Sequence, residues 1–284
     1  MKTLHVILGP TAVGKTAYAI ELGQKLGTEI VSCDSRQFYN ELDIGVARPS
    51  EEELATVPHH FIACRTAAQP YNAFEYGKDA LGTIQKLFET HDDVVAVGGS
   101  GLYVDALCKG INNLPDPTPD LRYALSRRVA AGDLPAMLEE LRTLDPDYYA
   151  IVDHNNPIRI QRALEVCLSA GQPYSRLLDN PLQPRPFNIE KTAIIRDRDD
   201  LRGRIRSRVD MMMQQGLLDE VKSLLPLRHL NTLNTVGYKE LFAYLDGHTS
   251  LEQATTLIKN NTWHYAKKQI TWLKHYPEIT WKKY

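Results

Sequence analysis

Cysteine is scarce, and what there is stays apart. Cys33, Cys64, Cys108 and Cys167 form no CxxC pair and no Cys/His cluster, which argues against a zinc site or a disulfide framework. Reduced thiols in a cytosol are the simpler reading. An excess of one charge is missing too: 33 Lys and Arg face 35 Asp and Glu, a formal net charge of -2, so any nucleic-acid contact must rest on local basic patches. No run of about 20 apolar residues could span a membrane. The apolar run Leu4 to Leu8 is too short for a signal-peptide core and leads straight into a glycine loop. Internal repeats and low-complexity tracts are absent as well. These absences predict a soluble, cytoplasmic protein of one or two domains, and a chain of 284 residues with 43% hydrophobic content can build a sizeable core.

What is present alternates. Leu4 to Leu8 reads as a strand, Lys15 to Leu26 as a helix, Glu29 to Ser32 as a strand, Phe74 to Thr90 as a helix and Val94 to Val97 as a buried strand. That order predicts an α/β core with a parallel sheet, of the P-loop NTPase kind. From Asn112 to Asp120 the chain turns proline-rich (Pro115, Pro117, Pro119) and then helical, the entry to an inserted helical domain. A second loop-like stretch, Asp179 to Pro186, closes it, and Ile189 to Ile195 resumes as a strand. The expected organisation is a catalytic core over 1–112 and 188–284 around a helical insertion over 113–187. The remainder, Leu201 to Tyr284, reads as mostly helical.

The strongest single motif is Gly9-Pro10-Thr11-Ala12-Val13-Gly14-Lys15-Thr16, which satisfies G-x-x-x-x-G-K-[ST] between a strand and a helix. Its glycines let backbone N–H groups converge on phosphate oxygens, Lys15 adds a full charge, and the Thr16 hydroxyl can hold Mg2+. A ligand with at least two phosphates is expected; the alternative is a glycine turn kept for packing. The default ligand would be a nucleotide, in a kinase or NTPase, yet such enzymes commonly hold Mg2+ with an acid at the end of a second buried strand. Here Val94 to Val97 runs into Gly98-Gly99-Ser100, and Asp92 and Asp93 lie at the wrong end. The kinase reading is weakened.

Several unusual segments then occur in order: GPTAVGKT (9–16), VSCDSRQFY (31–39), DIGVARP (43–49), PHH (58–60), VGGSGLY (97–103), NPIRIQRALEV (156–166), QQGLLDEV (214–221), NTVGYKEL (234–241) and AKKQITWLK (266–274). Together they resemble the tRNA dimethylallyltransferase (isopentenyl-tRNA transferase) family over nearly the whole chain. The resemblance implies a Mg2+-dependent transfer of dimethylallyl from its diphosphate to N6 of the adenosine 3′ of the anticodon, in tRNAs reading codons that begin with U. The loop would then grip a departing diphosphate, which accounts for the absent strand-end acid. Asp34 matches the family's general base, a turn aspartate being the alternative. Ser100 stands where many relatives carry Thr and is expected to orient N6 or a phosphate oxygen. Arg204 and Arg208, i and i+4 on a helix starting near Asp200, match a diphosphate-binding pair, against surface salt bridging as the alternative. Met211 to Met213 are read as helix core filler with no part in a ligand site. Ala63 departs from the family, whose members usually carry an acid there.

By the same resemblance the tRNA contacts are Asp34, Ser35, Arg36, Gln37, Ser100 and Arg122; Ile158, Arg159, Ile160, Gln161 and Arg162; Asn234, Thr235, Val236, Gly237, Tyr238 and Lys239; and Lys267, Lys268, Gln269, Trp272 and Lys274. Local charge supports the last group independently. Lys259, Lys267, Lys268, Lys274, Lys282 and Lys283 interleave with Trp263, Trp272 and Trp281, and Glu278 is the lone acid among them. A solvated helix face with its aromatics in the core is the alternative. The partners implied are the anticodon stem-loop and dimethylallyl diphosphate, with the enzyme a monomer. An adenylate dimethylallyltransferase or a small-molecule P-loop kinase remain the rival readings.

Overall fold

Strands β1 (Thr3–Leu8), β2 (Ile30–Ser32), β3 (His59–His60), β4 (Asp93–Gly98), β5 (Asn188–Ile195) and β6 (Thr280–Lys283) form one sheet in the order β3-β2-β4-β1-β5-β6. Every pairing is parallel. The structure is a computed structural model and describes residues 1–69, 71–178 and 184–284. The fold is the α/β class with a parallel sheet read from the sequence. Residues 179–183 of the expected Asp179 to Pro186 loop lie outside the described residues.

Helices α1 (Lys15–Leu26), α2 (Glu51–Thr56), α3 (Ala73–Thr90) and α4 (Gly101–Cys108) follow β1 to β4 in turn. The period-2 alternation of β1 sorts its side chains to two faces. Leu4, Val6 and Leu8 pack with Ala80 and Ile84 of α3, while Ile7 packs with Ala19 and Ile20 of α1. Burial on both faces is what a central parallel strand requires. Helix α1 stops at Gly27, whose φ of 61° lets its N–H close on the Gln24 and Gly23 carbonyls. Helix α3 starts in a capping box: the Asn72 side chain accepts from the Phe74 and Glu75 N–H groups.

The chain divides into two compact units, Met1–Gly110 with Pro184–Tyr284, and Ile111–Gln183. The second holds α5 (Pro119–Ala130), α6 (Leu134–Leu144), α7 (Pro146–Ile151), α8 (Pro157–Ala170) and α9 (Tyr174–Leu178). Leu125, Met137, Leu141, Ile160 and Leu164 form its core. Asp145, fully buried, caps α7 by accepting from the Tyr148 N–H (3.0 Å) and ties it to α9 by accepting from the Ser175 N–H (2.7 Å) and hydroxyl (2.8 Å). Pro184 to Phe187, expected in the insertion, belong to the sheet unit. Arg185 donates to the Leu107 and Ala106 carbonyls, each at 2.8 Å, and Phe187 packs on Phe88.

The sheet unit resumes with α10 (Arg198–Gln214), α11 (Leu217–Ser223), α12 (Tyr238–Leu245) and α13 (Leu251–Leu273). Strand β6 was not expected in a segment read as helical. All of its residues are exposed at the sheet edge, so no buried alternation marks it; pairing with β5 creates it. Registers Leu8↔Gly98, Leu8↔Ala193 and Ser32↔Val97 bring the carboxyl ends of β1, β2, β4 and β5 to one edge. Ligands bind outside such strand ends in open α/β sheets.

The closest backbone approach at that edge lies at Gly98, where a Cβ would sit 2.5 Å from the Cys33 carbonyl oxygen. Backbone cannot move aside there without parting β2 from β4. Gly98→Ala should therefore cost about 1–3 kcal/mol, read as a lowered urea midpoint; a variant as stable as the parent would dismiss this contact as a constraint.

Candidate active site

The loop after β1 is built by left-handed backbone. Gly9 (φ 150°), Ala12 (φ 65°) and Gly14 (φ 106°) turn the chain into α1. Its carbonyls are taken up from outside: Arg196 Nε donates to Val13 O (2.8 Å) and Arg204 Nε to Ala12 O (2.9 Å). Lys15 Nζ donates to Pro10 O at 2.8 Å. Gln269 of α13 accepts from the Thr11 N–H and donates to Gly99 O, both at 2.8 Å, fastening the loop to the end of β4. With its carbonyls held outward, the loop leaves amide groups for an anion.

Asp34 follows β2. Its Oδ1 accepts from the Arg36 N–H (2.8 Å) and the Gln37 N–H (3.3 Å), so it is a turn aspartate as well as a site residue. Oδ2 makes no hydrogen bond among the described residues. Ser100, 7% exposed, accepts from the Ser35 N–H (3.1 Å) and donates to the Ser35 hydroxyl (3.2 Å). Its hydroxyl thus positions the turn that carries Asp34.

A cavity of 790 Å3 opens over these strand ends, lined by Gly14, Lys15, Thr16, Asp34, Arg204 and Arg208 among others. Arg208 finds no hydrogen-bond or ion-pair partner among the described residues, and burial followed by repulsion from Arg204 lowers its pKa. Burial and then Arg208 lower the Lys15 ammonium to about 8, with Asp34 acting the other way. Burial raises the Asp34 carboxyl above its ordinary value, opposed by the Arg36 and Gln37 N–H groups and by Lys15. Clustered, partly desolvated cations, only partly offset by Asp34 and Glu53, make a seat for a polyanion. The surface salt-bridge alternative fits Arg196, paired with Asp200 at 3.2 Å, and not Arg208.

The far wall is residues 43–49. Glu220 of α11 accepts from the Ile44 N–H (2.7 Å), the Gly45 N–H (3.1 Å) and the Tyr238 hydroxyl (2.6 Å). Gln37 Nε2 donates to Ala47 O (2.9 Å) from the other side. Met212 and Met213 pack against the core, as the filler reading has it, while Met211 and Met212 also line the cavity on the α10 face that carries Arg204 and Arg208. Glu220, Met212 and Tyr265 carried no site role in the sequence reading. Glu220 sits inside QQGLLDEV, so the motif marked it without its contacts.

The expected RNA contacts divide. Ile158 (77% exposed), Arg159, Asn234, Lys239, Lys267, Lys268 and Lys274 are exposed. Arg36 and Arg162 are half-buried, as are Thr235 and Val236. Two are corrected: Ile160 and Tyr238 are both 0% exposed. Ile160 points into the insertion's core, because i+3 and i+4 spacing aligns it with Ala163 and Leu164. Tyr238 packs under Gly45, and Gly237 beside it is buried. Gln161 donates to Ser126 Oγ and Glu165, each at 2.9 Å; Arg122 (3.8 Å) and Arg162 (3.4 Å) also converge on Glu165, a buried hub. Trp272 packs on Gly101 and edge-on to Tyr276, and both ends of the Gln269 amide are engaged.

A family model described as IPP transferase matches residues 37–276. The chain belongs to the IPP transferase family. Among curated relatives, a tRNA dimethylallyltransferase 1 of Bacteroides thetaiotaomicron is 47% identical over 281 residues, covering 99% of this chain and 91% of its own. Another of that name, from Phocaeicola vulgatus, is 46% identical over 279 residues, with 98% and 93% covered. A solved tRNA isopentenylpyrophosphate transferase of Bacillus halodurans aligns at a TM-score of 0.72 and 33% identity over 100% of this chain and 90% of that one. The departure from the family at Ala63 falls on left-handed backbone (φ 44°), a conformation Asp accepts more readily than Ala.

Because the Lys15 ammonium titrates near 8 in the free site, it is charged at pH 7 and neutral by pH 9. Pyrophosphate affinity should fall as pH rises through about 8 in the parent and hold in Lys15→Arg, which stays charged. Titration calorimetry of both proteins across pH 7–9.5 tests this. Parallel pH profiles would mean that Lys15 does not govern the anion seat.

Proposed function

We propose that this IPP transferase family member moves a dimethylallyl group from dimethylallyl diphosphate to N6 of the adenosine 3′ of the anticodon in tRNAs reading codons that begin with U. The observation that carries the donor half is the gathering of Lys15, Arg204 and Arg208 around one cavity with Asp34, Arg208 being half-buried and without a hydrogen-bond or ion-pair partner among the described residues. An allylic C–O bond breaks readily once the leaving diphosphate is neutralised, and Lys15, Arg204, Arg208 and the loop amides supply that charge.

Adenine N6 is a weak nucleophile, because its lone pair is delocalised into the ring. Asp34 Oδ2 accepts the N6 proton as the N6–C1 bond forms and the C1–O bond breaks; pyrophosphate leaves on the loop. A carboxyl pKa raised by burial makes Asp34 a stronger base than an exposed aspartate. The residues fit Mg2+ sparingly. Thr16 and Asp34 line the cavity with hard oxygen donors, while no group of three or more His, Cys, Asp or Glu among the described residues could hold a metal. Mg2+, which takes few protein ligands and retains several waters, would be held from this chain by the Thr16 hydroxyl. When bound it would neutralise leaving-group charge.

The acceptor half is supported by exposed Lys267 and Lys268 on α13, Lys274 just after it, and Ile158 and Arg159 of the helical unit. Such surfaces suit the phosphates and splayed bases of an RNA loop. No helix among the described residues is long and apolar enough to cross a membrane. Action as a monomer on tRNA in the cytoplasm completes the proposal.

Asp34→Asn keeps an acceptor for the Arg36 and Gln37 N–H groups and removes the base. It should fold and bind tRNA as the parent does, yet lose about 10²–10⁴-fold in turnover. Nucleoside mass analysis after incubation with unmodified tRNA and labelled donor measures it; parental turnover would strip Asp34 of the role.

A further inference from the structure

Strand β6 delivers an aromatic ring to the outer side of the phosphate loop. Its pairing sets Lys283 opposite Ile195, and the next residue, Tyr284, donates its N–H to the Ile195 carbonyl (3.2 Å) and stands beside Arg196. The half-buried Tyr284 ring lies against Gly14, where an added Cβ would meet Cδ1 and Cε1 of the ring at 3.3 Å each. The Arg196 guanidinium sits over the same ring, with Cζ 5.5 Å from its centroid. Tyr18 of α1 meets the ring edge-on at 5.6 Å between centroids, and the Tyr284 hydroxyl donates to Glu21 of that helix (2.7 Å). Lys282 and Lys283, read in the sequence as part of a basic stripe, turn to the same corner: Lys282 stands over the Tyr18 ring (4.5 Å) and Lys283 pairs with Asp197 (2.7 Å).

We propose that Tyr284 is a positioning residue of the diphosphate seat, holding the Arg196 guanidinium on the Val13 carbonyl and backing Gly14. The inference rests on the reading of the loop as that seat. The Val13 carbonyl and the Gly14 N–H belong to one planar peptide and point in opposite directions, so fastening the carbonyl outward aims the N–H at the cavity that Gly14 lines. Arg196 Nε makes that fastening at 2.8 Å, and its NH1 pairs with Asp200 at 3.2 Å. Both bonds are open to competition from water, because 20% of the Arg196 side chain is exposed. Contact with the Tyr284 ring restrains the guanidinium where it can reach Val13, and the ring is itself held by Tyr18 and Glu21 of the helix that the loop begins. Tyr284 is not among the residues that line the cavity, so it acts on a bound anion through Arg196 and Gly14.

Titration calorimetry of the full chain with pyrophosphate tests this. Tyr284→Ala should weaken binding about fivefold, whereas Tyr284→Phe, which keeps the ring and drops the Glu21 bond, should stay within about twofold of the parent. In turnover, Tyr284→Ala should raise the KM for dimethylallyl diphosphate by a similar factor and leave the KM for tRNA within about twofold. Because the ring acts through Arg196, adding Tyr284→Ala to Arg196→Ala should cost less than about twofold further in pyrophosphate affinity. Circular dichroism confirms that each variant folds. Tyr284→Leu, which fills the space without an aromatic face, should show the same loss as the alanine variant and carries the test if that variant does not fold. Parental affinity in a folded Tyr284→Ala or Tyr284→Leu, with only the thermal midpoint lowered, overturns the assignment and leaves the loop reading standing. An equal loss in Tyr284→Phe, or an undiminished loss in the Arg196→Ala background, overturns it as well. If the parent binds no pyrophosphate, the seat reading falls and takes the role of Tyr284 with it.

Discussion

Crowding of positive charge, part of it half-buried, around an open loop is the constraint on which the rest of the molecule depends. Lys15, Arg204 and Arg208 line one cavity, and burial lowers the pKa of both Lys15 and Arg208. Repulsion of this kind favours expansion, so something must hold the site together in the absence of ligand. Backbone carbonyls do part of that work: Pro10, Ala12 and Val13 each accept from one of the basic side chains around the loop. The same bonds that quiet the cations also fix the direction of the loop amides. Arg208, outside this arrangement, makes no hydrogen bond or ion pair among the described residues and is half-buried, so it gains from an arriving anion.

Rigid mounting of the loop follows from the sheet. Its two flanks come from different parts of the sequence, since β1 sits between β4 and β5, and α13 reaches back through Gln269 to fasten the loop to Gly99. The wall opposite is independent of that framework. Residues 43–49 hang from Glu220 and Gln37, so their position follows α11 and the Asp34 turn. A side chain that accepts from three donors at once, as Glu220 does, fixes where that segment stands against α11 and Tyr238.

Where local signals are strong, the sequence is easy to read: the loop motif, α1 with its glycine stop, β1, β4 and β5. These elements are fixed by period and by capping chemistry within their own residues. Failures came where tertiary contact decides. Strand β6 exists only because β5 offers it an edge. Met212 and Met213 do pack on the core, but nothing in a methionine says that Met211 and Met212 also border a void. Ile160 and Tyr238 sit in segments rich in polar neighbours, and only packing shows that they turn inward. Ser100 and Gln269, read from the sequence as substrate or RNA contacts, are engaged in hydrogen bonds that brace the loop and the Asp34 turn.

The two pKa shifts at the centre act on one another once a donor binds. An incoming diphosphate adds negative charge beside both Lys15 and Asp34, and by Coulomb's law it favours the protonated form of each. Lys15 is thereby pulled back towards full charge, cancelling the effect of burial and Arg208. Asp34, already raised by burial, is pushed further, and its oxygen becomes a better proton acceptor. In the proposed reaction one ligand thus strengthens its own seat and the basicity of Asp34 beside it. The limit on this arrangement is that too large a rise would protonate Asp34 at neutral pH and abolish the base. The Arg36 and Gln37 N–H bonds to Oδ1, which favour the carboxylate, oppose that rise, so the tight turn after β2 serves the chemistry as well as the fold.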